Sequence, residues 1–167
     1  PITGAGPSSL ESTFGPRLGR SFHGGLDFPV PSGTDVVATR AGIVTAVGQS
    51  GTLGNFVVIS NQDVYGHLSS QAFTQADVTA QTPVVQGDLI GLSGNTGPPN
   101  TAFHLHLQDG GQIVGTPPIH PLRYLPYTAV APSMKAFDIE RTTLRQGTFI
   151  SSGTIRIEAL TEAITRD

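Results

Sequence analysis

The sequence predicts an all-β fold of short, mainly antiparallel strands, and three observations carry that reading. Glycine and proline supply 21 and 13 of the 167 residues, about a fifth of the chain, which suits tight turns between strands. Apolar residues occur in β-branched runs or alternate with period two, and no sustained helical period occurs between residues 1 and 127. Turn dipeptides separate these runs at short intervals, as in a sheet built from hairpins.

In chain order, residues 1 to 22 are rich in Gly, Pro and Ser and read as an extended or looping entry segment. Val36 to Val47 is β-branched and broken at Ala41-Gly42, Asn55 to Ser60 is nearly all apolar, and Val64 to Ser69 follows a short turn at Asn61-Gln62. Pro83 to Ser93 holds two short apolar runs around the turn dipeptide Gly87-Asp88. Phe103 to Leu107 alternates strictly, so Phe103, Leu105 and Leu107 are expected to face a core. Thr128 to Ser133 reads as a linker. Beyond it, MKAFDIER and GTIRIEAL read as two further strands, too little chain for a stable core of its own. The organisation expected is one domain over 1–127 and, over 128–167, a linker with an appended or incomplete β segment.

Composition removes several classes of function. No cysteine is present, which excludes disulfides, thiolate metal sites and cysteine nucleophiles and leaves five histidines as the main chemical groups. The net charge is −3, and a single lysine, Lys135, accompanies eight arginines without any basic run, so nucleic acid is not an expected partner. No stretch approaches the ~18 consecutive apolar residues of a membrane span. An export signal removed ahead of Pro1 is compatible with the sequence.

His104 and His106 lie two apart on a strand, so both imidazoles face one way, about 6.6 Å apart along the backbone. His23 and Asp27 are four apart, an imidazole and a carboxylate, both of them ligand types that zinc accepts. In an extended chain they would stand about 13 Å apart, so a shared ion requires Gly24-Gly25 to bring the segment back on itself. His67 shares a strand with Tyr65 and Ser69, and simple alternation puts these three on one face. His120, between prolines and apolar residues, reads as structural. Each motif singly is a weak signal, but their order is informative. His23, Asp27 and His106 would form a two-histidine, one-carboxylate zinc site with an open fourth position, the arrangement of catalytic zinc, with His67 and His104 alongside.

These motifs resemble the lysostaphin-type, LytM-like zinc endopeptidases. The likeness runs through FGPR at 14–17, HGGLDFPVPSGTDVVATRAGIVTAVG at 23–48, VYGHLS, VVQGDLIGLSGNTG, FHLHL and HPLRYL. It implies an antiparallel sheet lining a groove, one zinc ion on His23, Asp27 and His106, and a catalytic pair of His67 and His104. It further implies hydrolysis of peptide cross-links in bacterial peptidoglycan by a monomeric catalytic domain, in a secreted, periplasmic or cell-envelope setting. Tyr65, on the face of His67 by simple alternation, either adds a hydrogen bond to substrate or is a buried aromatic of the strand. In this scheme His104 takes a proton from water and His67 donates to the developing oxyanion, although the sequence leaves the two roles interchangeable. The chain departs from the usual pattern at His120-Pro121, where Asp-Pro or Asn-Pro is common, and in the loop GNTGPPNTAF. A second reading of the same fold is a non-catalytic, envelope-binding regulator. A lipoyl- or biotinyl-type carrier, suggested by VVQGDLIG, lacks a lysine on a hairpin tip.

Overall fold

The computed structural model describes residues 1–2, 10–17, 22–111, 114–123 and 125. The linker and the two strands expected after residue 127 lie outside the described residues. Among those described, the strands are β1 (Gly15–Pro16), β2 (Phe22–His23), β3 (Gly25–Pro29), β4 (Asp35–Val37), β5 (Gly42–Ser50) and β6 (Gly54–Ile59). They continue as β7 (Asp63–Gln71), β8 (Pro83–Val84), β9 (Leu89–Ser93), β10 (His104–Gly111) and β11 (Thr116–Ile119). All pairings are antiparallel, in the main order β11-β10-β7-β6-β5-β8, with β3 also on β10 and β9 joining β7 to β4.

Every strand expected from the β-branched runs before residue 108 is present, and the physical reason is visible in the core. Leu26 and Phe28 of β3, Tyr65 and Leu68 of β7, and Leu105 and Leu107 of β10 are fully buried together with Val57, Ile59 and Ile90. Each such side chain contributes about 1.5–3 kcal/mol on burial. Leu53, Phe56, Val58 and Val64 form a smaller second cluster. The turn at Gly87-Asp88 forms as expected: Gly87 has φ 93° and the Asp88 carboxylate accepts the Val85 N–H at 2.8 Å.

Three features differ from the sequence reading. A six-residue helix, α1 (Gln75–Ala80), interrupts the sheet. It buries no residue, so it leaves no apolar period to read; Asp77 fixes its start by accepting the Thr74 N–H at 2.8 Å. The entry segment is also more than a loop. Ile2 bridges Val36, Ser12 bridges Asp27, and β1 pairs with β2. Finally, Phe103 is 52% exposed, because β10 begins only at His104 and the alternation that buries Leu105 and Leu107 does not extend back to it.

Away from the histidines, Asp63 of β7 and Asp109 of β10 oppose each other across the sheet, and both are buried. Arg40 holds Asp63 through Nε at 2.7 Å and Nη2 at 2.5 Å, and reaches Asp109 at 3.4 Å. The arrangement bridges two buried carboxylates from a partly exposed arginine. It therefore pins β7 to β10, the two strands that carry three of the histidines.

Candidate metal centre

The site is built by strand register. β10 runs between β3 and β7, with His106 directly opposite Asp27 on one side and Gly66 on the other. Residues opposite one another in a sheet point to the same face, so the Asp27 carboxylate and the His106 ring meet, with His104 two residues along on the same side. His23 enters from the end of β2. The chain passes from β2 to β3 at Gly24 and Gly25, and the glycines work by leaving room, since neither has a positive φ. A Cβ on Gly25 would collide with the Leu107 carbonyl and stand 2.7 Å from Cε1 of His106. The convergence that the spacing of His23 and Asp27 demanded is therefore present.

The three candidate ligand atoms form a tight triangle. His23 Nε2 lies 3.1 Å from Asp27 Oδ1 and 3.2 Å from His106 Nδ1, and His106 Nδ1 lies 2.8 Å from Asp27 Oδ1. The edges of a tetrahedron around zinc, with bonds near 2.0–2.1 Å, are about 3.3 Å. The outer faces of the same groups fix which atoms carry hydrogen. His23 Nδ1 donates to the Thr13 carbonyl at 2.9 Å, which leaves Nε2 with a lone pair facing inward when the ring is neutral. His106 Nε2 lies 3.2 Å from Gln108 Oε1, and Gln108 is held in that orientation by donating its own amide to the Gly110 carbonyl at 2.6 Å. So His106 Nε2 donates, and Nδ1 also offers a lone pair inward. Asp27 Oδ2 accepts from Arg17 at 2.9 Å, leaving Oδ1 for the centre.

Two nitrogen lone pairs and an anionic oxygen thus converge at contact distance, an arrangement that repels itself unless a cation lies between them. His23, Asp27 and His106 are the group of described residues able to hold a metal ion together. When the two rings carry a second, inward proton in place of a cation, their hydrogen bonds to Asp27 outweigh the burial that opposes its ionisation and hold its carboxyl well below the usual carboxylate range.

His67 and His104 flank this triangle. His104 Nδ1 donates to the Ala102 carbonyl at 2.8 Å, and its Nε2 lies 3.6 Å from Asp27 Oδ1. His67 lies tilted against it, ring centroids 4.5 Å apart and planes 55° apart, and donates Nδ1–H to the Thr96 carbonyl at 2.7 Å. Burial is the largest effect on His67 and pushes its pKa down to about 4, so the ring is neutral near pH 7. When neutral, either ring turns a bare Nε2 away from its carbonyl anchor. Both are proton acceptors in that state, and the expected donation by His67 to an oxyanion would need an added proton.

His67 reaches the site through a bulge. Between the pairs Tyr65↔Val57 and Leu68↔Asn55, β7 has one residue more than β6. His67 takes up the excess in a left-handed conformation with φ 59°, and its N–H bonds to the Leu53 carbonyl at 2.6 Å. This corrects the expectation for Tyr65. Tyr65 opposes Leu107 and shares its core face, whereas the bulge returns His67 to the opposite face. Tyr65 is fully buried, and its hydroxyl bonds Oγ1 of Thr39 at 2.8 Å and accepts the Thr39 N–H at 2.9 Å. It has no surface to offer a substrate. Burial, with the Asp63 charge, also raises its pKa well above the usual phenol value.

His120 stands apart, as expected of a structural residue. Its Nδ1 accepts the Leu122 N–H at 3.2 Å at the start of a short 3-10 turn, and its ring lies against Phe14. The supporting residues Thr13, Arg17, Thr96 and Gln108 were not singled out in the sequence. Arg17 falls inside the FGPR motif, which was the available signal for it.

A two-histidine, one-aspartate cluster on the face of an antiparallel sheet is the arrangement of a metallopeptidase domain. The sequence pattern of Peptidase family M23 matches residues 21–114, and the chain belongs to that family. It is 39% identical over 117 residues to the DD-carboxypeptidase/endopeptidase Mpg of Neisseria meningitidis serogroup B, covering 65% of this chain and 25% of that protein. The fold is similar to the catalytic domain of the antimicrobial peptidase lysostaphin from Staphylococcus simulans, with TM-score 0.57, 29% identity, and 69% and 90% of the two chains covered. A zinc-containing peptidase from Vibrio cholerae aligns with TM-score 0.54 and 29% identity over 66% of this chain and 35% of that one. The chain spans about a quarter of the length of the Neisseria protein. No helix among the described residues is long and apolar enough to cross a membrane.

Proposed function

We propose that this chain is a zinc-dependent endopeptidase that hydrolyses peptide cross-links of bacterial peptidoglycan, with His23, Asp27 and His106 holding one zinc ion. The observation that carries this reading is the inward convergence of two imidazole lone pairs and one carboxylate oxygen, each fixed by a hydrogen bond on its outer side. Zinc held there would polarise a scissile carbonyl and bring the pKa of water toward neutrality.

The histidine pair supplies the proton chemistry. His104 Nε2, 3.6 Å from Asp27 Oδ1, accepts a proton from the attacking water and becomes an imidazolium. That imidazolium then gives its proton to the leaving amine. His67, fixed on the Thr96 carbonyl, presents a second acceptor that orients the water or the amine. The relative from Vibrio cholerae named peptidoglycan DD-endopeptidase ShyA supports the substrate class, and hydrolysis of such a substrate would occur outside the cytoplasmic membrane: secreted, periplasmic or in the cell envelope. Residues 1–127 are the catalytic domain on this reading, and it acts as a monomer.

The test is to incubate the protein with purified peptidoglycan of glycine-bridged and directly cross-linked types and detect new peptide amino termini by mass spectrometry. Release that disappears on zinc stripping and in His104→Ala is expected. Stoichiometric zinc with no release on either substrate would transfer the reading to a non-catalytic envelope-binding protein.

A further inference from the structure

Asp27 divides its two oxygens between two partners, and the division is built into the fold. Oδ1 faces His23 and His106, while Oδ2 accepts from Nη2 of Arg17 at 2.9 Å. The same Nη2 donates to Ser12 Oγ at 2.6 Å. Ser12 in turn is bridged to the backbone of Asp27, with Glu11 N–H on the Asp27 carbonyl at 3.0 Å and Asp27 N–H on the Ser12 carbonyl at 2.9 Å. Ser12 Oγ also lies 3.3 Å from His23 Nδ1. The guanidinium is thus fastened to the chain segment that backs two of the candidate ligands, although the Arg17 side chain is 46% exposed.

We propose that Arg17 is a positioning residue that holds Asp27 to single-oxygen engagement of the metal and so keeps a coordination position open for substrate and water. The inference rests on the metal reading of the site given above. A carboxylate beside a divalent cation can contribute one oxygen or both, and a second oxygen would occupy the position that catalysis needs free. A guanidinium whose Nη2 is fixed between Oδ2 and Ser12 opposes that rotation by charge and by direction, which a neutral or mobile side chain would not. Because a half-exposed ion pair adds little to folding, removing it leaves the fold largely intact.

The experiment compares the full chain with Arg17→Gln, Arg17→Lys and His23→Ala after loading with cobalt(II), whose visible absorption weakens as coordination number rises. Arg17→Gln is expected to bind cobalt with a several-fold weaker visible band. Its kcat should fall about tenfold at little-changed KM, the scale on which residues behind metal ligands act. Arg17→Lys is expected to recover part of both. A cobalt spectrum and kcat in Arg17→Gln equal to those of the parent chain would overturn the proposal. So would a weakened spectrum that Arg17→Lys does not improve. Unchanged cobalt binding in His23→Ala would instead overturn the metal reading beneath it. If Arg17→Gln fails to fold by circular dichroism, Ser12→Ala, which frees the guanidinium, is read by the same band with the same expectation.

Discussion

Replacing the His104 side chain separates the chemistry of the three candidate ligands from its own. His104→Ala keeps the His23, Asp27, His106 triangle and is expected to bind one zinc ion while losing peptide release by about 10²–10⁴, the usual worth of a positioned proton acceptor. Inductively coupled plasma analysis and the mass-spectrometric release assay check the two halves. Tyr65→Phe makes the opposite prediction. It removes the hydroxyl from the Thr39 N–H and Oγ1 and is expected to lower stability by about 1–2 kcal/mol in urea unfolding, with zinc content and peptide release unchanged. The shared face of His104 and His106 was legible in the sequence because alternation on β10 is unbroken from His104 to Gln108. Tyr65 was misplaced because the bulge at His67 changes the phase of β7, and a bulge leaves no mark in a pattern of period two. Arg17 and Gln108 were not read as site residues because their roles are hydrogen bonds to groups whose orientation only the fold defines.

At the level of elements, the passage between β2 and β3 is the tightest constraint on the site. Gly25→Ala would place a methyl against the Leu107 carbonyl and 2.7 Å from the His106 ring, so β3 has to move away from β10 or the ring has to turn. Either shift breaks the triangle, and zinc affinity measured by chelator competition is expected to fall about 10- to 100-fold. The strands themselves were legible because their β-branched residues report burial directly. The helix α1 was not, because a short exposed helix buries no stripe. The entry segment escaped for another reason: Ser12, Thr13 and Arg17 work through backbone pairing and polar contacts, and neither has a hydrophobic signature.

For the whole molecule, metal occupancy and folding are linked. A ligand that binds only the folded chain adds about 2.7 kcal/mol at a free concentration one hundred times its Kd, so chelation is expected to lower the thermal midpoint and zinc to restore it. Differential scanning calorimetry with and without chelator measures this. The proposed boundary at residue 127 predicts that a chain ending at Tyr127 keeps zinc binding and peptide release, checked by the same two assays. All-β character could be read in advance because it follows a local rule, periodicity, whereas the side-by-side order of β3, β10 and β7, which brings Asp27 and His106 together, is a matter of topology. That order has a kinetic consequence. The contact between His23 and His106 spans 83 residues of chain, so no early hairpin contains a binding site. Long-range pairings form late, after their loop-closure entropy has been met. Zinc capture during refolding should therefore coincide with the final seating of β10 between its neighbours, making metal uptake a clock for the last step of folding.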